Sequence, residues 1–318
     1  MRLRDKILKK QRPVVVYEII PPRIIDGSVE SYAERISSLL SQTHIDAINI
    51  PEVHAEESRG KRPVEERERA EPREFGRIIQ DLVGVEVIVN RVTVLQTSDS
   101  QRKWFETTLE EFGIENIVLV GGESSEINYP GPGVVESAEM VGELNEREGA
   151  SFFVGGISLP SRTVESERML SKSNVGVDFF TTQVLYQSDD IKKMLAYYQR
   201  VSEDSGQEPK RVLLSFAPIS TKKNLEFLKW LGVEISQETE DFLLEDPENI
   251  KERSIETCLR ILDEILEHVS TQNISVPIGL NVEHIMSYNF QYSVELLQKM
   301  SKRYRSFCLE SSLFKLTG

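Results

Sequence analysis

The sequence predicts an α/β fold, a single-domain (β/α)8 TIM barrel with an N-terminal cap and extra helices in its seventh unit. Eight short runs rich in β-branched residues alternate with longer stretches whose apolar residues recur at three- and four-residue spacing. The alternation is strict from end to end, which implies parallel strands joined by crossover helices. With eight units, closure into a barrel is more economical than the competing open, doubly wound sheet, and 318 residues suffice for one large α/β barrel.

Residues 1–12 (MRLRDKILKKQR) read as a solvated helix capping the fold, and 13–318 as the catalytic barrel. The segment is basic like the start of a secretory signal, but only seven residues separate Pro13 from Pro21 and no small-residue cleavage pattern follows. The strands are expected at 13–20, 45–50, 85–92, 115–120, 151–157, 176–182, 211–217 and 275–280. Between them, Val29, Tyr32, Ile36, Leu39 and Leu40, or Ile191, Met194, Leu195 and Tyr198, mark helices with one inward face. The seventh unit is longer than the rest, with a helix around Asn224 to Leu231 and a second at roughly 251–270. The charged stretch 54–74 reads as a solvated loop and helix start, with a mobile flap after strand two as its functional alternative.

Composition excludes several function classes. Thirty-eight Lys and Arg face 52 Asp and Glu, a net charge of -14 that works against a phosphate-backbone footprint and so against a nucleic-acid partner. No apolar stretch approaches the roughly 20 residues of a membrane helix. Cys258 and Cys308 form neither a disulfide framework nor a thiolate metal site, which fits a reducing, cytoplasmic compartment. His44, His54, His268 and His284 lack the paired spacing of zinc hydrolases, so no metal is expected. Neither a Gly-x-Ser-x-Gly elbow, a Gly-x-Gly-x-x-Gly fingerprint nor a P-loop follows any strand.

In a barrel of this type the site is built by residues at the C-terminal ends of the strands. Glu18 interrupts the apolar run Val14 to Ile20 just before Pro21 and Pro22, which end the strand because they lack backbone donors. A Glu so placed either holds a proton, as a general acid does, or forms a structural ion pair. The other strand ends offer Asn49 and Glu52; Arg91 and Thr93; Gly121, Gly122 and Glu123; Gly155 and Gly156; Thr181, Thr182 and Gln183; Ser215, Pro218 and Ser220; and Asn281 and Glu283. The two glycine pairs permit close backbone approach to a flat ligand, or simply relieve crowding at barrel corners.

With these residues placed, the chain resembles the methylenetetrahydrofolate reductase family in its catalytic barrel, collinearly over roughly 13–300. Tyr17-Glu18-Ile19-Ile20-Pro21-Pro22-Arg23 looks like the family's aromatic-Glu-aromatic-aromatic-Pro-Pro-basic signature. Asp178-Phe179-Phe180-Thr181-Thr182-Gln183 is similar to the segment whose Thr-Gln contributes to folate binding. Gly113 to Ile117, Pro218-Ile219-Ser220 and Leu280-Asn281 resemble the family's Gly-Ile-x-Asn-Ile, Pro-Val-Ser and Leu-Asn.

The resemblance implies a flavoprotein with FAD, reduced by NADH or NADPH, that converts 5,10-methylenetetrahydrofolate or a related pterin to the 5-methyl form. Glu18 would be the acid and Glu123 the carboxylate near the flavin. Gln183, Thr182 and Asn281 would bind substrate, and Asn49, Arg91, Thr93, Gly121, Gly122, Gly155 and Gly156 the cofactor. A homo-oligomer and an electron-donating partner protein are further expectations. The chain departs from the family at Gly121-Gly122-Glu123, where Arg-Gly-Asp is usual, at Gly155 to Pro160, where Tyr-Pro-Glu-x-His-Pro is usual, and at Asn90 to Thr93, where His-Leu-Thr is common. These departures leave FMN or no flavin as alternatives. Without flavin, the chain reads as a pterin-binding or methyl-handling barrel acting as a partner subunit.

Overall fold

The computed structural model describes residues 1–54, 60–124, 126–147, 150–285 and 289–317. Eight parallel strands close into a barrel in chain order: β1 (Val15–Ile19), β2 (Ala47–Ile50), β3 (Glu86–Val92), β4 (Asn116–Val120), β5 (Phe153–Ser158), β6 (Phe179–Thr182), β7 (Arg211–Phe216) and β8 (Ile278–His284). Around them lie α1 (Leu3–Leu8), α2 (Val29–Leu40), α3 (Pro72–Val83), α4 (Ser98–Glu110), α5 (Val134–Arg147), α6 (Glu165–Asn174), α7 (Asp189–Asp204), α8 (Lys222–Trp230), α9 (Gln237–Leu244), α10 (Ile250–Thr271) and α11 (Phe290–Thr317). The seventh unit carries α8, α9 and α10, as its length predicts.

The last strand departs from its expected bounds. It begins after Pro277, whose missing donor bars it from a central ladder, and runs on to His284 because Asn281 to His284 pair with Val16 to Ile19 of β1. Residues 55–59 of the charged stretch lie outside the described residues. Farther along it, Ala70 N donates to Pro22 O at 2.9 Å, Ile24 N to Glu68 O at 3.0 Å and Arg69 Nη1 to Pro21 O at 2.9 Å. This part of the stretch is therefore a strap against the Pro-Pro-Arg turn.

Strand alternation divides the core in two. Val15, Tyr17 and Ile19 point outward into the large cluster shared with the helices, while Val14 and Val16 point into the barrel with Ala47, Ile88, Val118, Phe153, Phe179 and Leu213. At about 1.5–3 kcal/mol for each fully buried large apolar side chain, either face alone fixes the register. The barrel floor is closed by α1, whose Leu3 and Ile7 join the inner cluster. Arg211 at the start of β7 donates to the Ile7 and Lys9 carbonyls at 2.9 and 2.7 Å, satisfying acceptors left open at the C-terminus of α1. Only the opposite mouth remains open.

Gly155 of β5 faces inward, and a Cβ there would lie 2.5 Å from Phe179 Cζ and 2.8 Å from Val118 Cγ2. Gly142 within α5 has nothing within 4 Å of its Cβ position. Gly155→Ala should therefore destabilise by about 1–3 kcal/mol through overpacking, whereas Gly142→Ala should stabilise by about 0.5–1 kcal/mol. Urea midpoints measure both, and an unchanged midpoint for Gly155→Ala would show that the Phe179 ring has room to move.

Candidate active site

The inward-facing positions of the upper barrel form two unlike arcs. From β6 round to β2 every such residue is polar. Thr181 Oγ1 and Ser215 Oγ lie 3.2 Å apart, and Asn281 Nδ2 is 3.1 Å from Ser215 Oγ, 3.2 Å from Glu283 Oε1 and 3.5 Å from Glu18 Oε2. Asn49 Nδ2 donates to Glu18 Oε2 at 2.6 Å and completes the arc. On β4 and β5 the corresponding residues are Val120 and Ile157, which pack against the inner apolar cluster. The mouth therefore offers a flat ligand one hydrogen-bonding side and one greasy side.

Glu18 and Glu283 sit opposite each other on adjacent strands in register, both facing the mouth. Burial pushes the Glu18 carboxyl up to about 7 against the hydrogen bonds from Asn49 and Asn281 that favour its charge. Burial, then the charge of Glu18, pushes Glu283 well above its ordinary range. No Lys, Arg or His stands among the inward-facing strand residues of this layer. The amide oxygens of Asn49, Asn90 and Asn281 are buried and have no hydrogen-bond donor among the described residues, so the layer has spare acceptors for a ligand with N–H groups.

Of the residues expected at the site, Glu18, Asn49 and Asn281 come together. The Asn49 amide nitrogen is taken up by Glu18. Arg91 is corrected: it faces away from the barrel interior, bonded to Glu52 Oε1 at 2.6 Å and Gln101 Oε1 at 2.8 Å and stacked over Trp104. Thr93 is fully buried and donates to Val120 O at 3.3 Å, which ties β3 to β4. Thr182 points outward and accepts from Ser215 N at 2.9 Å. Gln183 is also turned away from the mouth, its amide spanning Leu231 O at 3.1 Å and Val184 N at 3.0 Å. It lines a cleft of about 100 Å³ with Leu159, Pro160, Leu185 and Gly232.

The glycine pairs supply steric relief rather than a platform. Gly155 makes room for Phe179, Gly156 packs outward against Val177 and Phe180, and Gly121 lies beneath Val134. Tyr129 covers Gly122, and its hydroxyl accepts from Glu123 N at 2.9 Å. These residues present a flavin with neither an open flat face nor a cation at its ring, and as arranged they do not fit it. Thr181, Ser215 and Glu283, by contrast, belong to the site but were not singled out from among the strand ends. The signal for Glu283 was its two-residue spacing from Asn281, which puts both on one face of β8.

The profile of the family described as methylenetetrahydrofolate reductase matches residues 2–287. The chain belongs to that family. A solved structure of an uncharacterized protein from Clostridium thermocellum that binds two copies of 5-methyl-5,6,7,8-tetrahydrofolic acid has a TM-score of 0.78 at 22% identity, covering 94% of this chain and 99% of that one. The likeness establishes a shared barrel fold. A 2,3-dimethylmalate lyase follows at a TM-score of 0.47 and 12% identity, covering 94% of this chain and 92% of that one. N-(5'-phosphoribosyl)anthranilate isomerase from Pyrococcus furiosus follows at 0.46 and 13%, covering 92% and 100%. No curated protein sequence matches. Among the described residues, no group of three or more His, Cys, Asp or Glu could hold a metal, and no helix is long and apolar enough to cross a membrane.

The raised Glu18 carboxyl makes stability depend on pH with a definite sign. Unfolded, the group titrates at its ordinary value of 4.5; folded, it titrates at about 7. Across that window the native state holds a proton that the unfolded chain has lost, so this contribution to stability is complete below pH 4.5 and is lost as pH rises towards 7. The difference in melting temperature, Glu18→Gln minus wild type, should therefore grow as pH is raised through the window. Parallel melting curves would mean that the carboxyl is not desolvated.

Proposed function

We propose that this member of the methylenetetrahydrofolate reductase family binds a reduced folate, or a related pterin one-carbon carrier, at the barrel mouth and reduces its methylene group to methyl. The supporting observation is Glu18, an inward-facing carboxyl held by two amides, with no cation bonded to it among the described residues and with its proton retained towards neutral pH. Family membership supports the reaction class. The Clostridium thermocellum relative supports the ligand class, since it binds 5-methyl-5,6,7,8-tetrahydrofolic acid.

In this reading the carrier's heterocycle lies across the mouth, its N–H groups towards the spare oxygens of Asn49, Asn90 and Asn281 and its apolar face towards Val120 and Ile157. The bridging carbon of the methylene form is bound to two nitrogens. Glu18 protonates the departing nitrogen as its bond to that carbon breaks, and the electron pair of the bond stays with the nitrogen. The open cation then accepts a hydride from a nicotinamide dinucleotide, NADH or NADPH, which becomes oxidised. No step depends on a flavin.

The second reading, a flavin-free pterin-binding or methyl-handling barrel working with a partner subunit, draws on the filled ends of β4 and β5, where Tyr129 and Phe179 occupy the glycine positions. Anaerobic mixing of the purified protein with NADH or NADPH and 5,10-methylenetetrahydrofolate separates the two. Nicotinamide oxidation in step with appearance of the 5-methyl product supports the reductase, whereas tight binding of the 5-methyl form without turnover supports the second. Glu18→Gln should lower turnover by about 10²- to 10⁴-fold, the usual contribution of a general acid, and leave binding of the 5-methyl form within a few-fold. Equal loss of binding and turnover would reassign Glu18 to ligand binding.

A further inference from the structure

We propose that Glu18 and Glu283 work as one acid, sharing a single proton beside the Asn281 amide, with Glu283 as a positioning residue that keeps that proton at the mouth at neutral pH. The proposal deepens the functional reading above and rests on it for the identity of the proton's recipient. Nothing in the resemblance names Glu283.

The geometry starts from register. Glu18 of β1 and Glu283 of β8 are paired residues on neighbouring parallel strands, and such strands run about 4.8 Å apart. Both side chains point to the mouth, two residues beyond the inward-facing Val16 and Asn281 respectively. The hydrogen bonds around the pair come from neutral groups. Asn281 Nδ2 has two hydrogens, and it faces three acceptors: Glu18 Oε2, Glu283 Oε1 and Ser215 Oγ. Glu18 Oε2 also takes a hydrogen from Asn49 Nδ2 at 2.6 Å, and Ser215 bonds to Glu283, so the groups that hold the pair are neutral amides and a hydroxyl. Meanwhile the oxygens of Asn49 and Asn281, buried next to the pair, have no donor. A carboxyl proton on the pair removes one like charge and adds a donor beside those two oxygens.

Among the described residues, no charged side chain other than this pair faces inward from the strands of this layer. The surrounding strands present Asn49 from β2, Asn90 from β3, Val120 from β4, Ile157 from β5, Thr181 from β6 and Ser215 from β7, none of them ionised. The nearby cations are committed elsewhere, Arg23 to Asp26 at 2.7 Å and Arg91 to Glu52 at 2.6 Å. On the outer faces of the same two strands, Tyr17 is bonded to Ser293 and His284 stands edge-on to Phe290. The upward displacement of both carboxyls agrees with this arrangement.

Two measurements test the proposal. The first follows the protonated-carboxyl C=O stretch by infrared difference spectroscopy of the ligand-free protein across pH, comparing wild type with Glu283→Gln and Glu18→Gln. The second follows the pH profile of 5,10-methylenetetrahydrofolate reduction. Wild type should show a carboxyl band persisting at neutral pH, and in Glu283→Gln both the band and the alkaline limb of kcat should move down by about one pH unit or more, since removing a like charge lowers the partner's pKa. Glu283→Asp should restore part of the shift, which a merely structural role would not do. If Glu283→Gln leaves band and limb in place, or if folded wild type has no such band, the pair does not share a proton. If the band behaves as expected but the protein neither binds nor reduces the pterin, the shared proton stands and the substrate reading falls.

Discussion

Two desolvated carboxyls with no counterion among the described residues are the constraint around which the upper barrel is organised. At a separation near 5 Å and an effective dielectric of about 20, two carboxylates repel by about 3 kcal/mol, and the nearest guanidinium on β3 is bonded to Glu52 on the other side of the strand. The amide groups of Asn49 and Asn281 offset part of that cost, and Ser215 and Thr181 extend the hydrogen-bonded arc across two more strands. The arrangement is therefore a hydrogen-bonded network of amides and hydroxyls rather than an ion-paired one. A cation would satisfy the carboxylates but would also fix them in the ionised form, and an acid that cannot hold its proton cannot donate it.

The barrel's layering explains why the Glu18 carboxyl faces the open mouth rather than the core. Below Glu18 lie Val16 and the stacked rings of Phe153 and Phe179, whose centroids are 5.4 Å apart, and α1 seals the floor. Access is from above. Because the polar arc occupies β6 to β2 and the apolar one β4 and β5, a planar ligand with a donor-rich edge has one orientation that satisfies both. Reversal would press Val120 and Ile157 against that edge and leave buried amide oxygens unserved, at roughly 1–3 kcal/mol for each unsatisfied group.

The fold was legible because its signal is redundant. Eight strands, the capping segment and the extended seventh unit can each be read from runs of Val, Ile and Leu and from helical spacing, and one misplaced boundary, that of β8, does not alter the topology. The site was legible only in part, because membership depends on parity. Glu18, Asn49 and Asn281 fall on inward positions, whereas Arg91 and Thr182 stand one residue away from inward Asn90 and Thr181 and therefore face the helices. Nothing local in the sequence distinguishes the two phases when a strand is buried on both faces. The glycines were opaque for another reason: the groups that fill the space beside them come from the path of the β4–α5 loop, which brings back Tyr129, and from another strand, which supplies Phe179.

The Pro-Pro-Arg turn shows how the acid's position is held without a hydrogen bond to its own loop. Pro21 and Pro22 have no N–H to extend the ladder, so β1 ends one residue past Glu18, and their carbonyls accept instead from Arg69 and Ala70 of the strap that follows β2. A third bond, from Ile24 N to Glu68 O, closes an antiparallel contact across the turn. That strap also reaches the seventh unit, where Arg62 lies over the rings of Phe227 and Trp230 at 5.2 and 5.3 Å. The turn after the acid is thus braced from both β2 and α8, while the carboxyl itself is held only by amides. Rigid backbone and exchangeable proton are kept on separate supports, so gain or loss of the proton need not disturb the strand end that presents it.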